Sequence, residues 1–459
     1  MIIVAALLWL MLHEASAFLH RFGISSYPLS LRMSGAVDLS LEPSASDGIE
    51  TVITYLNSEG TKSLRNQLVT GDMKLCDELA DANFWSGGSA VVEDSECKGI
   101  SENGIQFDVS VKFRGKQDLQ VRQAFAPFPR PVLNEDELKI VLLEMAYSTS
   151  NKRKKMSKDS AQIAALPFGQ DATLPNDFKF NNVPHASWVR SYIYNQVTTA
   201  ICRAVNDDTI PNKSRMQLKI NFPEVNPAFD TYRIGTLLEM VREAVLALTE
   251  QGGKRVRICV QQSLGEGIFT GTPLALSAMR PVLEKMDWGG VLSDEEKFQQ
   301  GDDKHPRPEA LIRFGTVGSD QIRDDDDILL VIAPQNIING VIIHKLDEMC
   351  IKAAGRPVIL INPQLHDRPS SNNKMQIRGR EERRKIQDSF IDIYALRLLY
   401  PSTGGYMYPI GGVVAKKDYR APWIVYSIQD EGGVEKFQIE GAFPPHTPPT
   451  PDQISSFLV

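Results

Sequence analysis

The chain has 459 residues, 42% hydrophobic and 23% charged, enough for a large core and, at about 100–200 residues per domain, for two folded units. A formal charge of −7 argues against a protein that coats nucleic acid, since phosphate binding needs a basic face; local basic patches remain open, and no nucleic-acid partner is expected. The five cysteines (Cys76, Cys97, Cys202, Cys259, Cys350) are widely spread, with no CxxC and no His at zinc-ligand spacing, which argues against a disulfide framework or a zinc site.

In chain order, the apolar run Ile2 to Leu12 is too short for a hydrocarbon layer of about 30 Å and precedes the small residues Ala15-Ser16-Ala17, so it reads as a signal peptide. Residues 18–36 are Ser-rich, carry Arg21 and Arg32 and lack acidic residues, the composition of a transit peptide. The junction Ala15 to Phe18 resembles the presequence cleavage signature of algae with complex, multi-membrane plastids. Residues 1–33 are therefore expected to be a bipartite signal plus plastid transit peptide, addressing the protein to the plastid (chloroplast) stroma or thylakoid surface. No other segment is apolar enough to cross a membrane, which leaves peripheral membrane contact open.

Residues 50–150 read as a small α+β domain: a helical stretch over 51–80, short strands at 89–94, 105–113 and 119–125, and a helix that opens on the capping-box-like pair Asn134 and Glu137. The basic cluster NKRKKMSK (151–158) and the prolines that follow make 151–185 a linker, with contact to anionic lipid or nucleic acid as its functional alternative. From residue 188 to 459 helices and strands alternate as in a Rossmann-like domain. Strands are predicted at 216–222, 255–261, 311–316, 328–333 and 358–361, and helices at 188–205, 231–249, 273–286, 341–354 and 381–400. ILLVIA and VILI are continuous apolar runs, as strands covered on both faces require. The fold class expected is α/β, a mainly parallel sheet flanked by helices, closed by an antiparallel meander at 406–414, 423–428 and 436–441 and a last helix at 451–458.

The best candidate for a ligand loop is LGEGIFTGTP, residues 264–273, between a predicted strand and a predicted helix, where backbone amides favour anions. Gly265, Gly267 and Gly271 nearly fit GxGxxG, and Thr272 with Pro273 suits a helix start; the third glycine is one residue late, and a tight structural turn is the competing reading. A parallel sheet brings this loop to one rim with Asn336, Asn362, His366 and Asp367, which could perform acid/base chemistry or simply satisfy a turn. Asp324 to Asp327 reads as a solvated strand start and Arg378 to Lys385 as an exposed helix face. GxSxG and HExxH elements are absent, so catalytic residues and cofactor are unassigned and no metal is expected.

The segments ILLVIAPQN, GRPVILINPQLHD, FIDIYALRLLY and APWIVY, in that order over residues 190–459, resemble the plant and algal plastid family catalogued as domain of unknown function nineteen ninety-five. That family includes the low photosystem II accumulation protein 3 type, an assembly factor. The resemblance implies a photosynthesis-linked plastid role, with photosystem or thylakoid biogenesis proteins as partners, and supplies no catalytic residues. Two readings follow: a non-catalytic biogenesis factor, which is preferred, and an enzyme or sensor that binds a nucleotide or other phosphorylated small molecule at the sheet rim.

Overall fold

The computed structural model describes residues 44–69, 75, 91–112, 119–149, 153–166, 169, 171–175, 177–227, 229, 231–262, 279–288, 311–336, 342–367, 379–400 and 409–457. In chain order these form helices α1 (Ser44–Leu56) and α2 (Lys62–Val69), strands β1 (Val91–Ser101), β2 (Gly104–Lys112) and β3 (Gln120–Pro127), and helices α3 (Glu135–Thr149), α4 (Arg153–Ala164) and α5 (Ser187–Asn206). Then come β4 (Met216–Ile220), α6 (Ile234–Gly252), β5 (Val256–Val260), α7 (Met279–Lys285), β6 (Ile312–Thr316), β7 (Ile328–Ile332), α8 (Ile343–Ala353) and β8 (Val358–Ile361). The chain continues through α9 (Arg380–Asp388), β9 (Ile391–Leu399), β10 (Gly412–Lys416), β11 (Trp423–Glu431), β12 (Val434–Phe443) and α10 (Pro451–Ser455).

The predicted fold class holds: a nine-stranded sheet in the order β12-β11-β10-β9-β4-β8-β7-β5-β6 stands beside a three-stranded antiparallel sheet β1-β2-β3. From β9 through β6 neighbouring strands are parallel, and β9 to β12 form the antiparallel part. Local chemistry sets the helix ends. Asn134 Oδ1 accepts the Glu137 N–H at 2.9 Å, and Glu137 Oε2 accepts the Leu133 N–H at 2.8 Å, so the expected cap closes one residue early. Gly253 ends α6 at φ 56°, a left-handed conformation that glycine adopts without Cβ strain.

Two faces of the large sheet are covered differently. On the first face α5, α6 and α7 bury Ile193, Leu237 and Leu283 against Met216, Leu218, Ile258, Leu330 and Ile359. On the second face α8 buries Leu346 and Met349 against Leu329, Val331, Val358 and Leu360, and α10 sets Ile454 against Val414, Trp423 and Val425. Burying such side chains is worth roughly 1.5–3 kcal/mol each.

Three expectations are corrected. The helix predicted over 381–400 ends at Asp388, and Ile391–Leu399 is a strand in the middle of the sheet. A bulge beside Gln217 and Leu218 turns both Ile393 and Tyr394 to the first-face core, which breaks the period of two that marks a strand. The stretch read as a linker instead carries α4, which packs on β12, and buries Ile163, Leu174, Phe178 and Phe180 in the same core as Val52 and Ala442. Phe178 meets Phe180, Trp188, Tyr192 and Phe437 edge to face, contacts that a reading of prolines and charge does not anticipate. The side chains of the basic cluster at 151–158 lie outside the described residues. Finally, the Asp run is not solvated at its centre. Asp326 is buried and takes Arg257 through two bonds at 2.6 and 3.1 Å, while Asp325 pairs with Arg313 at 2.6 Å and Asp327 accepts the Arg255 N–H at 2.7 Å.

Among the described residues no helix is long and apolar enough to cross a membrane. Cys97, Cys202, Cys259 and Cys350 are free thiols, and burial pushes Cys259 and Cys350 up to about 12 and Cys97 to about 11, the behaviour of packed apolar groups; Cys76 lies outside the described residues.

Candidate functional site

Strand β4 reads MQLKI, and its alternation decides what happens in the middle of the sheet. Met216, Leu218 and Ile220 enter the first-face core, which turns Gln217 and Lys219 to the second face. On β9, beyond the bulge, Asp392, Ala395 and Arg397 share that face. Among the described residues, helix α8 covers β5, β7 and β8, and α10 packs on β10, β11 and Ala395 and Leu399 of β9, so the floor at Gln217, Lys219, Asp392 and Arg397 has no described helix over it. The result is a groove of about 1110 Å³, bordered by Asn362 and His366 on one side and by His446 and Pro448 on the other.

Connectivity gives this groove a second property. Strand β4 leads to α6 on the first face, whereas its parallel neighbour β8 leads to α9, which packs beside α8 on the second. Adjacent strands whose connections leave in opposite directions open a crevice at their carboxyl ends, the usual position of a ligand in α/β sheets. Asn221, Asn226 and Asn362 stand there.

The charges on the floor are mixed. Lys219 Nζ lies 3.0 Å from Asp392 Oδ1, with 51% of the lysine side chain exposed, so screening leaves this pair worth little. Gln217 Nε2 donates to the Phe390 carbonyl at 3.1 Å. Arg397 is exposed and makes no ion pair or side-chain hydrogen bond among the described residues. His446 packs 5.0 Å from the Tyr419 ring, and burial, with Lys416 and Arg130 nearby, holds its imidazole below the ordinary histidine range.

Of the residues singled out in the sequence, Gly265, Gly267, Gly271 and Thr272 lie outside the described residues. Asn336 is buried at the start of α8, where its Oδ1 accepts the Ile342 and Ile343 N–H groups at 3.1 and 3.3 Å and its Nδ2 donates to the Leu365 carbonyl at 2.5 Å. Asn362, at φ 49°, accepts the Ile220 N–H at 2.6 Å and donates to the Val225 carbonyl at 3.1 Å, tying β8 to β4. His366 is exposed at the groove edge. Asp367 turns to α9, where Arg383 holds it bidentately at 2.9 and 2.8 Å. Of the singled-out residues that are described, Asn362 and His366 border the groove, and His366 and Asp367 are not paired as an acid/base unit. Sequence reasoning passed over Gln217, Lys219, Asp392 and Arg397, although alternation in a strand between apolar runs was the available signal.

Among the described residues no group of three or more His, Cys, Asp or Glu side chains could hold a metal ion. A family model described as "Domain of unknown function (DUF1995)" matches residues 190–455, which span α5 to α10 and include every residue of the groove named above.

Proposed function

The chain belongs to the family described as Domain of unknown function (DUF1995), and on that premise we propose that it is a plastid biogenesis factor linked to photosynthesis. In this reading it resembles the low photosystem II accumulation protein 3 type, is non-catalytic, and holds a client polypeptide in the groove over β4 and β9. The address rests on the apolar run, the small residues Ala15-Ser16-Ala17 and the Ser- and Arg-bearing segment after Phe18. One observation carries the docking reading. The polar rim residues Asn336, Asn362 and Asp367 are committed to backbone and Arg383, while Lys219 and Arg397 stand exposed on a sheet face that no described helix covers at that point. Such a floor offers hydrogen-bonding side chains along an extended path, which suits a peptide segment more than a small substrate. Partners are photosystem or thylakoid biogenesis proteins, met at the membrane surface.

The test has two parts. A fluorescent reporter fused behind residues 1–36 enters the plastid, and removing the chain from cells lowers photosystem II accumulation with other thylakoid complexes retained. A reporter left in the secretory route, or unchanged photosystem II, overturns the proposal. The crevice between β4 and β8 favours one alternative, a small phosphorylated ligand held beside Asn221, Asn226 and His366. Raised thermal stability with a nucleotide or sugar phosphate, lost in Asn226→Leu, would select it.

A further inference from the structure

The small sheet β1-β2-β3 precedes the family match at 190–455, and among the described residues its two edge strands, β1 and β3, are finished differently. At the β1 edge, side chains stand in for a further strand. Asn57 Nδ2 donates to the Cys97 carbonyl at 3.0 Å while its Oδ1 accepts the Cys97 N–H at 2.8 Å, and Arg65 Nε donates to the Ser95 carbonyl at 2.5 Å. Backbone groups that could recruit another strand are thereby consumed.

The β3 edge carries no such seal among the described residues. The Phe128 N–H bonds to the Asn103 carbonyl at 2.8 Å, so by antiparallel alternation Arg122, Ala124 and Ala126 turn their backbone groups to β2, and Val121 and Gln123 turn theirs outward. No described residue pairs with those outward groups. Pro127, which lacks an N–H, also falls on the outward side, the position that a sheet tolerates for proline. The side chains divide in the same way. Ala124 and Ala126 enter the core, whereas Leu119 and Val121 are 55% and 63% exposed, and the Phe125 ring, 38% exposed, lies across Gly104 on the outer face. Toward β1 that face is charged instead, with Lys98 2.8 Å from Glu96 and Lys112 3.6 Å from Glu93. Exposed apolar side chains and open backbone groups therefore coincide on one edge strand, the combination that recruits another strand.

We propose that β3 pairs antiparallel with β3 of a second copy of this chain about a two-fold axis through Gln123, joining two three-stranded sheets into one of six. The strand itself names its occupant, because VRQAF is complementary to its own reverse. Gln123 exchanges both backbone bonds with Gln123 of the second copy, and each Val121 side chain meets the other copy's Phe125, an aromatic and β-branched pair of the kind that stabilises sheets. Arg122 then stands opposite Ala124. Neighbouring alignments are worse: an axis through Arg122 sets that cation against itself, and an axis through Ala124 sets Val121 against Pro127, which has no N–H to give. Such a strand pair is an isologous interface of the small class, below roughly 1,200 Å², so the dimer is reversible. No groove residue lies on β3, and the proposal does not rest on the groove reading.

The experiment is sedimentation velocity over a concentration series on the chain from residue 34 onward. The unaltered chain passes reversibly from monomer to dimer and forms nothing larger, because a two-fold interface closes on itself. Val121→Lys, at an exposed side chain, and Gln123→Pro, at an N–H that β2 does not use, each weaken the dimer at least about tenfold, and Lys219→Glu in the groove leaves it unchanged. An unaltered melting temperature identifies which variants are folded, and either of the two β3 variants decides if the other does not fold. Oxidation of Gln123→Cys links two copies, since a residue that faces itself across the axis has its two Cα atoms about 5.5 Å apart, within disulfide reach, whereas Gln106→Cys on β2 stays unlinked. A chain that stays monomeric, equal dimerisation in a folded Val121→Lys or Gln123→Pro, or linkage of Gln106→Cys as readily as of Gln123→Cys overturns the proposal.

Discussion

Strands β7 and β8 and strands β4 and β9 belong to one parallel array, yet they are built to different rules. ILLVI and VILI are buried on both faces, because helices cover both. MQLKI alternates, and in IDIYALRLL the alternation resumes beyond the bulge, from Tyr394; Lys219 and Arg397 are exposed there, because among the described residues no helix covers that stretch of the second face. Within a parallel sheet, then, a strand that alternates marks the place where the sheet is left open, and here that place is also a crevice between diverging connections.

This contrast can be broken by substitution. The largest effect is expected in the covered half: Asp326→Ala strands the buried Arg257 guanidinium and lowers stability by about 3–5 kcal/mol, read from the urea midpoint at unchanged slope. At the border, Lys416 titrates near 8 in the fold against 10.5 ordinarily, so between those values the unfolded chain carries a proton that the folded chain lacks. Its contribution to stability therefore rises with pH across that window. The stability of the unaltered chain relative to Lys416→Met should climb by up to ~3 kcal/mol from pH 8 to 10.5, and other groups cancel in the difference. Asn362→Ala leaves the Ile220 N–H and the Val225 carbonyl unpaired where the two halves join and should cost about 1–3 kcal/mol by denaturant melts. On the open floor, Lys219→Leu and Arg397→Leu should change stability by less than about 0.5 kcal/mol; a loss above about 1 kcal/mol would mean that the face is structural after all.

Most of the architecture was legible because its signals are local. Apolar runs, the Asn134 cap and the alternation of Phe107, Val109 and Val111 all report on neighbours in sequence. Strand β9 was not legible, since the bulge at Ile393 and Tyr394 puts two successive side chains on one face and leaves a helix-like spacing of Ile and Leu. Asn336 and Asn362 were placed at strand ends with two roles open, a ligand contact or the satisfaction of backbone groups, and sequence could not choose for Asn362 because its partners, Ile220 and Val225, lie more than a hundred residues away. The pairing of Asp326 with Arg257, 69 residues away, was hidden because it too is made across the sheet, and so was the packing of Phe178 and Phe180 on the distant Phe437.

The central claim is that the open face over β4 and β9 holds a client needed to build photosystem II. Its most direct measurement is complementation: cells lacking the chain receive either the unaltered protein or the charge-reversed Lys219→Glu, Arg397→Glu form, and photosystem II is quantified in both. The account predicts that the unaltered chain restores the complex while the reversed form, folded and present at equal level in the plastid, does not. Full restoration by the reversed form would contradict it.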